Sequence, residues 1–294
     1  MTAGVLIVDK PGGMTSHDVV NVVRGVTGIR KVGHAGALDP LATGVLLLCV
    51  GPATRLAEYL TASDKVYEAS VRLGVETDTY DADGQVLHTQ TVNVSREQVT
   101  TELEAFRGAI QQVPPMFSAV KHAGRPLYRL AREGVTVDRK PRSARVTDIA
   151  MTDWSPPLFS FRVACSAGTY VRTLAHDLGL RLGCGAHITR LVRTASGPFR
   201  IEDAVRLSAL TQDNWLVYLQ PMEAAVAGYP AIVFDRQAVD RLTHGQNTSR
   251  LPAHPILDMA RACTPEGSFF ALVRASADNT QWVPHKVFGG GSDR

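Results

Sequence analysis

Gly4–Val8 and Val45–Val50 are unbroken apolar runs of strand length, the pattern of strands covered on both faces. The first ends at the turn Lys10-Pro11-Gly12-Gly13. Ser16 then stands where it caps a helix carrying Val19, Val20, Val22 and Val23, with Gly25 near its end. A second helix is expected over Arg55–Leu60. Lys65–Gly74 and Gln85–Thr91 read as strands joined by the turn-rich segment TDTYDADG, residues 77–84. Ser95-Arg96-Glu97-Gln98 is a capping box for a helix reaching Phe106, closed by Gly108. Pro114-Pro115 breaks the chain before Met116–Val120, and a short helix fits Leu127–Glu133. Leu158–Cys165 alternates as a strand, Thr169–Leu182 has helical spacing, and His187–Thr194 is strand-like again.

Near Glu223–Tyr229 the texture changes to small residues that read as a linker. Beyond it, Ala231–Phe234, Phe269–Val273 and Trp282–Phe288 are short strand candidates around one helix, Arg236–Leu242. Strands and helices mixed without regular βαβ alternation predict an α+β fold. Two domains are expected, residues 1–224 and a small β-rich domain over residues 225–294 that ends in a flexible GGGSDR tail.

With 45% hydrophobic and 20% charged residues in 294, the chain has an ordinary globular composition and ample material for a core. No apolar run approaches the roughly 18 residues of a membrane span, and the N-terminus lacks the pattern of a secretion signal, so a cytoplasmic protein is expected. Cys49, Cys165, Cys184 and Cys263 form no CxxC pair, which points to buried free thiols and away from zinc. Net charge is only +3, but it is unevenly spread. Lys121, Arg125, Arg129, Arg132, Arg139, Lys140, Arg142 and Arg145 fall within 25 residues, against Glu133 and Asp138. Such a segment suits a polyanion partner or a solvated loop, and charge alone does not choose between them.

Several other motifs do not hold. Asp81-Ala82-Asp83-Gly84 resembles part of a calcium loop, yet Thr79 and Gln90 stand where ligands are required, so it reads as a hairpin turn. The segment KPGGMTS lacks the order of a P-loop. His176-Asp177 has no second histidine at helical ligand spacing; His88, His122, His244, His254 and His285 are scattered and read as surface or satisfied residues. No metal site is expected.

What remains is GHAGALDPLATG, residues 33–44, with one carboxylate among apolar neighbours. Asp39 is either a turn residue or a reactive group. Pro40 restricts its backbone, and a carboxylate in apolar surroundings calls for a cationic partner. Arg172, between the apolar Val171 and Leu174 on the expected helix, is the candidate guanidinium.

The stretch from Gly33 to Gly44 closely resembles the catalytic motif of the bacterial tRNA pseudouridine-55 synthases. The resemblance continues through DKPGGMTS (9–16), DKVY (64–67), LGVETDT (73–79), PPMFSAVK (114–121), GTYVRT (168–173) and GCGAH (183–187), and covers roughly residues 4–200. Ala35 departs from the threonine common in the family, and residues beyond 225 match weakly. The resemblance implies a catalytic domain built on a central mixed, largely antiparallel sheet, followed by a PUA-like RNA-binding domain. It implies isomerisation of uridine 55 in the T-loop of tRNA to pseudouridine, with no cofactor and no metal, by a monomer that needs no protein partner. Asp39 matches the aspartate that starts the exchange, whether by bonding to the sugar or base or by triggering 2′-deprotonation. Arg172 matches the arginine paired with it. Tyr67 matches the tyrosine that packs on the flipped base and is a candidate general base, a residue that would otherwise read as a core aromatic. Tyr170 and Leu191 match pocket-lining residues, and His34 matches the histidine that fills the space the base leaves. Residues 121–145, with Lys121, Arg125, Arg129 and Arg132, correspond to an insertion that folds over the T arm. Two rivals stand beside this reading: a synthase that works through a guide-RNA complex, and an RNA-binding protein without catalysis.

Overall fold

The computed structural model describes residues 2–250 and 257–288, so His254 and the GGGSDR tail lie outside the described residues. The chain opens with β1 (Gly4–Lys10), α1 (Ser16–Thr27), β2 (Val32–Ala35), β3 (Thr43–Val50) and, after a 3₁₀ turn, α2 (Ala57–Ala62). β4 (Lys65–Leu73), the small β5 (Val75–Thr77) and β6 (Val86–Thr89), α3 (Arg96–Glu104) and β7 (Gly108–Gln112) follow. A two-strand ribbon of β8 (Lys121–His122) and β9 (Arg125–Pro126) precedes α4 (Leu127–Arg132). Then come β10 (Arg142–Ser155), β11 (Leu158–Cys165), α5 (Val171–Arg181) and β12 (Ala186–Ser196), with β13 (Phe199–Arg200), β14 (Val205–Arg206) and β15 (Leu219–Pro221) as short additions.

The main sheet runs β14-β1-β3-β12-β4-β11-β10-β7, with β2, β13 and β15 paired at its margins. Within it only β1–β14 and β3–β12 are parallel, so the expected mixed, largely antiparallel sheet is what forms. β3 explains the uninterrupted apolar run. Leu46, Leu48 and Val50 face one core beside α1, whereas Val45, Leu47 and Cys49 face a second core with Ala53, Leu56 and Leu60. A strand buried on both faces has no position for a polar side chain.

Residues from Ala231 on build a separate sheet from β16 (Ala231–Val233), β17 (Thr248–Ser249), β18 (Met259–Cys263), β19 (Phe269–Ala275) and β20 (Gln281–Val287), in the order β16-β18-β19-β20-β17. Its helix α6 (Arg236–Thr243) closes over a core that holds Trp282, Phe270 and Leu242. β17 and β18 have no counterpart among the strands expected from sequence because both are short and lack clean alternation. The stretch expected as a linker is packed: Ala225 and Val226 sit in the second core with Leu47 and Leu56, and Leu272 of the C-terminal sheet joins them.

Two local expectations change. Thr15, not Ser16, caps α1: its side chain accepts from the Asp18 N–H, and Asp18 accepts from the Thr15 N–H, a full capping box. Ser16 is buried instead, and its Oγ accepts the Leu38 N–H at 2.8 Å and lies 3.2 Å from the Leu38 carbonyl. The excursion from the sheet also ends earlier than residue 145. Arg142 and Arg145 belong to β10 and pair with Gln112 and Ala109 of β7, so the excursion spans residues 113–141.

Two glycines separate the roles that glycine plays here. Gly44 has φ +96°, and a Cβ there would lie 2.3 Å from the Arg193 carbonyl oxygen of the neighbouring strand. Gly25 lies exposed within α1 with nothing within 4 Å of such an atom. Gly44→Ala is expected to lower unfolding free energy by at least about 2 kcal/mol through backbone strain and overlap. Gly25→Ala should raise it by roughly 0.5–1 kcal/mol through helix propensity. Urea unfolding of both variants checks the opposite signs.

Candidate active site

The main sheet carries its chemistry where one core face runs out. On β4, the odd-numbered residues Ala69, Val71 and Leu73 are buried in the core, and Tyr67 and Lys65 continue that face. β12 pairs antiparallel with β4 so that Leu191 lies opposite Ala69 and Arg193 opposite Tyr67. Past Ala69 the face opens into a cleft of about 240 Å³. It is lined by Asp39, Lys65, Tyr67, Tyr170, Arg172, Leu191 and Arg193, with the segments 36–38, 118–119 and 168–171 at its rim.

Arg172 comes from the first turn of α5. That helix buries Val171, Leu174, Ala175 and Leu178, an i, i+3, i+4, i+7 stripe that presses it onto β12. Arg172 itself is 4% exposed, and its Nη1 and Nη2 groups donate four hydrogen bonds. Nε and Nη2 grip the Asp39 carboxylate at 2.9 and 3.0 Å, a two-pronged pair. Nη1 reaches Asp81 Oδ2 at 3.1 Å and the Thr79 carbonyl at 2.9 Å, and Nη2 also donates to the Phe117 carbonyl at 2.9 Å.

Asp39 sits on the 36–42 connection between β2 and β3, which is held from several sides. Ser16 fixes both polar backbone groups of Leu38; the Gly13 N–H and Lys10 Nζ donate to the Pro40 carbonyl at 2.9 and 3.3 Å. The Asp39 side chain keeps 39% of its surface open to the cleft. Removal from bulk water raises its pKa above the ordinary aspartate value, the Arg172 charge opposes that rise, and Asp81 adds to it. The carboxylate is thus oriented by a cation and still has a free side toward an incoming group.

Burial raises the pKa of the Tyr67 phenol, partly offset by Arg193 beside it, so Tyr67 is a neutral hydroxyl at neutral pH. Tyr170 is also raised by burial, and its backbone is clamped twice by Gln112: the Tyr170 N–H donates to Oε1 at 3.0 Å and Nε2 donates to the Tyr170 carbonyl at 3.2 Å.

Of the residues singled out from the sequence, Asp39, Tyr67, Tyr170, Arg172 and Leu191 meet at the cleft. His34 does not line it. It lies on β2 opposite Leu48, half-buried, with its pKa lowered by loss of solvation. Lys121, Arg125, Arg129 and Arg132 lie on the excursion, where Arg125 pairs with Glu133 at 2.6 Å and Arg132 covers the Tyr128 ring. Arg139 is different: it donates to the Pro114 carbonyl at 3.0 Å and ties the two ends of the excursion together.

Asp81 is the chief residue that sequence reasoning misses. The segment around it does form a turn between β5 and β6, but Asp81 is 4% exposed and points into the protein. Its Oδ1 accepts from Thr79 Oγ1 at 2.6 Å and from the Asp83 N–H at 3.2 Å, which leaves Oδ2 for Arg172. Turn chemistry masks a buried ion pair. Gln112, Arg193 and Lys10 are missed for a similar reason: each is a polar residue in a plain strand. Among the described residues no group of three or more His, Cys, Asp or Glu is arranged to hold a metal ion, and no helix is long and apolar enough to cross a membrane.

The family model for the TruB family pseudouridylate synthase N-terminal domain matches residues 24–171, and that for the tRNA pseudouridylate synthase B C-terminal domain matches residues 172–227. The chain belongs to the TruB family of pseudouridine synthases. It is therefore an isomerase. A relative from Burkholderia pseudomallei, strain 668, called tRNA pseudouridine synthase B, is 46% identical over 257 residues, 86% of this chain and 85% of its own. One of the same name from Clostridium kluyveri is 43% identical over 242 residues, 82% of this chain and 84% of its own. Among solved structures, a Cbf5-Nop10-Gar1 complex matches with a TM-score of 0.76 at 30% identity, covering 97% of this chain and 85% of that one. An H/ACA RNP bound to a substrate RNA containing 2′-deoxyuridine matches with 0.74 at 28% identity, covering 98% and 85%. The seam between the two TruB family models falls beside Arg172, whose partners Asp39 and Asp81 both lie on the N-terminal side of it.

Replacing Asp81 tests the buried pair. Asp81→Ala removes one partner of a pair whose side chains are 6% and 5% exposed, and should cost about 3 kcal/mol of unfolding free energy. The Arg172–Asp39 grip holds the effect to the lower end of the range for buried pairs. Urea unfolding gives the number, and a change below about 1 kcal/mol would mean that Asp39 with the Thr79 and Phe117 carbonyls satisfies the guanidinium without Asp81.

Proposed function

We propose that this chain converts uridine 55 in the T-loop of tRNA to pseudouridine, with the target base turned out of the RNA and into the cleft. The observation that carries the reading is the Asp39–Arg172 grip at the cleft floor, facing a wall made by Tyr67 and Leu191. The relatives named tRNA pseudouridine synthase B support tRNA as the substrate. The cleft is smaller than the roughly 300–1,000 Å³ of sites that hold drug-sized ligands, which suits a single pyrimidine.

Each side chain then has a task. Cleavage of the N-glycosidic bond leaves positive charge on the sugar, and a carboxylate held beside it stabilises that charge or bonds to the sugar carbon. Arg172 favours the ionised form of Asp39 against the rise that burial brings, and fixes its orientation. Tyr67 offers a ring for the flipped base to stack on, and its neutral phenol is a hydrogen-bond donor to the base. Tyr170 and Leu191 close the sides. Within one nucleotide the C1′–N1 bond breaks and a C1′–C5 bond forms, C5 losing a proton and N1 gaining one, with no net redox change, so the reaction calls for no electron carrier.

The excursion of residues 113–141 brings its own cations to the RNA, which favours a chain that binds the T arm by itself over one that works through a guide-RNA complex. His34, outside the cleft, is read as filling the gap that the base leaves in the RNA stack. The C-terminal sheet is read as a PUA-like RNA-binding unit.

Two experiments test this. Asp39→Asn should abolish pseudouridine formation in an unmodified tRNA transcript while tRNA affinity stays nearly unchanged, because phosphate contacts supply most of the affinity. Mapping the product by position should place it at residue 55 alone in the parent reaction. Turnover of the Asn variant near the parent rate would move the catalytic role elsewhere.

Replacing Lys121, Arg129 and Arg132 with Gln should weaken binding and flatten the log-affinity against log-salt slope by somewhat under about one unit for each phosphate no longer neutralised. Single-turnover chemistry at saturating enzyme should change far less. Arg139 is left in place because it holds Pro114. An unchanged slope would mean that these charges only face solvent.

A further inference from the structure

Arg193 is 1% exposed, lines the cleft, and has no part in the roles given above. Among the described residues its guanidinium meets carbonyl oxygens and no carboxylate. Nε donates to the Val45 carbonyl at 2.7 Å, Nη2 to the Gly36 carbonyl at 2.9 Å, and Nη1 lies 3.5 Å from the Ala37 carbonyl. Stability alone gives little reason for such a residue. An apolar side chain of similar volume fills a buried position without the cost of desolvating a charge.

The three carbonyls show what the charge does. Gly36 and Ala37 come just before Asp39, and Val45 comes just after the connection re-enters β3, so one fork holds both ends of the loop that presents Asp39. The backbone of Arg193 serves the same junction: it lies against Gly44 so closely that a Cβ there would overlap its carbonyl. On its other side Arg193 stands directly opposite Tyr67 in the β12–β4 ladder, next to a bulge between Arg193 and Ala195 that bends β12 at this point.

We infer that Arg193 is a positioning residue that sets the spacing between the Asp39 loop and the Tyr67 wall. The inference rests on Asp39 and Tyr67 acting as proposed above. A lysine cannot replace it: an ammonium is a point charge on a flexible stem and cannot serve carbonyls on both sides of a loop in one plane. Lys10 and Lys65 show the contrast. Each is buried, with its pKa lowered to about 8 chiefly by desolvation, and each gathers carbonyls around a single point.

The test compares Arg193→Lys and Arg193→Met with the parent and with Asp39→Asn on the same unmodified tRNA transcript. Three quantities are read: single-turnover rate at saturating enzyme, tRNA dissociation constant, and thermal midpoint. The expected result for Arg193→Lys is a folded protein with parental affinity and a rate lowered about 10–100-fold, the scale on which small misplacements of reacting groups act. Arg193→Met should lose at least as much rate. A purely structural role would lower the thermal midpoint and leave the rate of the folded fraction intact, and that outcome overturns the inference. A parental rate in Arg193→Lys overturns it too, whether or not the Met variant folds, as does a weakening of affinity that accounts for the whole drop in rate. Failure of the functional reading shows elsewhere, as an inactive parent or an active Asp39→Asn.

Discussion

The site depends on the saturation of one guanidinium. Asp39, Asp81 and the Thr79 and Phe117 carbonyls take four hydrogen bonds from Nη1 and Nη2 of Arg172, and its Nε lies 2.9 Å from the Asp39 carboxylate. A buried arginine that is short of acceptors carries a large desolvation cost, so these partners have to arrive together. They come to α5 from three separate stretches: the loop before β3, the turn before β6, and the base of the excursion. Closure of this one cluster therefore fixes the mutual placement of elements that are far apart in sequence. The apolar stripe of α5 drives the helix onto β12, and the polar network decides where along β12 it stops.

Order in the cleft follows from the same constraint. Asp39 has few rotamers because Arg172 holds both of its oxygens, and its backbone is held by Ser16, Gly13, Lys10 and Arg193 on surrounding elements. None of these contacts touches the open side of the carboxylate. The carboxylate is thus rigid at its root and free at its tip, which is the arrangement that electrostatic preorganisation requires.

How much of this the sequence discloses depends on the kind of residue. β3 and α5 are legible because their apolar spacing has only one structural solution, and Asp39 stands out because it is the lone carboxylate in an apolar stretch. Arg172 is legible as its partner from its apolar flanks. Asp81 is not, since a DADG segment satisfies the rules for an exposed turn equally well, and only the fold shows that its outer oxygen turns inward. Ser16 misleads in the opposite way. It has the composition of a cap, but Thr15 performs that task and Ser16 binds Leu38 instead. Gln112 and Arg193 give no local signal at all, because a polar residue inside a strand reads as a solvent-facing position until its neighbours are known. The C-terminal sheet is visible only in outline, its short strands β17 and β18 carrying too little pattern to register.

The face of β4 that touches the cleft is continuous with the face that fills the core, Tyr67 following Ala69, Val71 and Leu73 along one row of side chains. Cleft shape and thermal robustness are therefore written in the same residues. Enlarging the cleft means trimming a row whose other members hold the sheet to its helices. Narrowing it pushes that row outward against α5. Divergence in this protein should accordingly accumulate on the excursion and on the outer face of the C-terminal sheet, which can change without reopening the core.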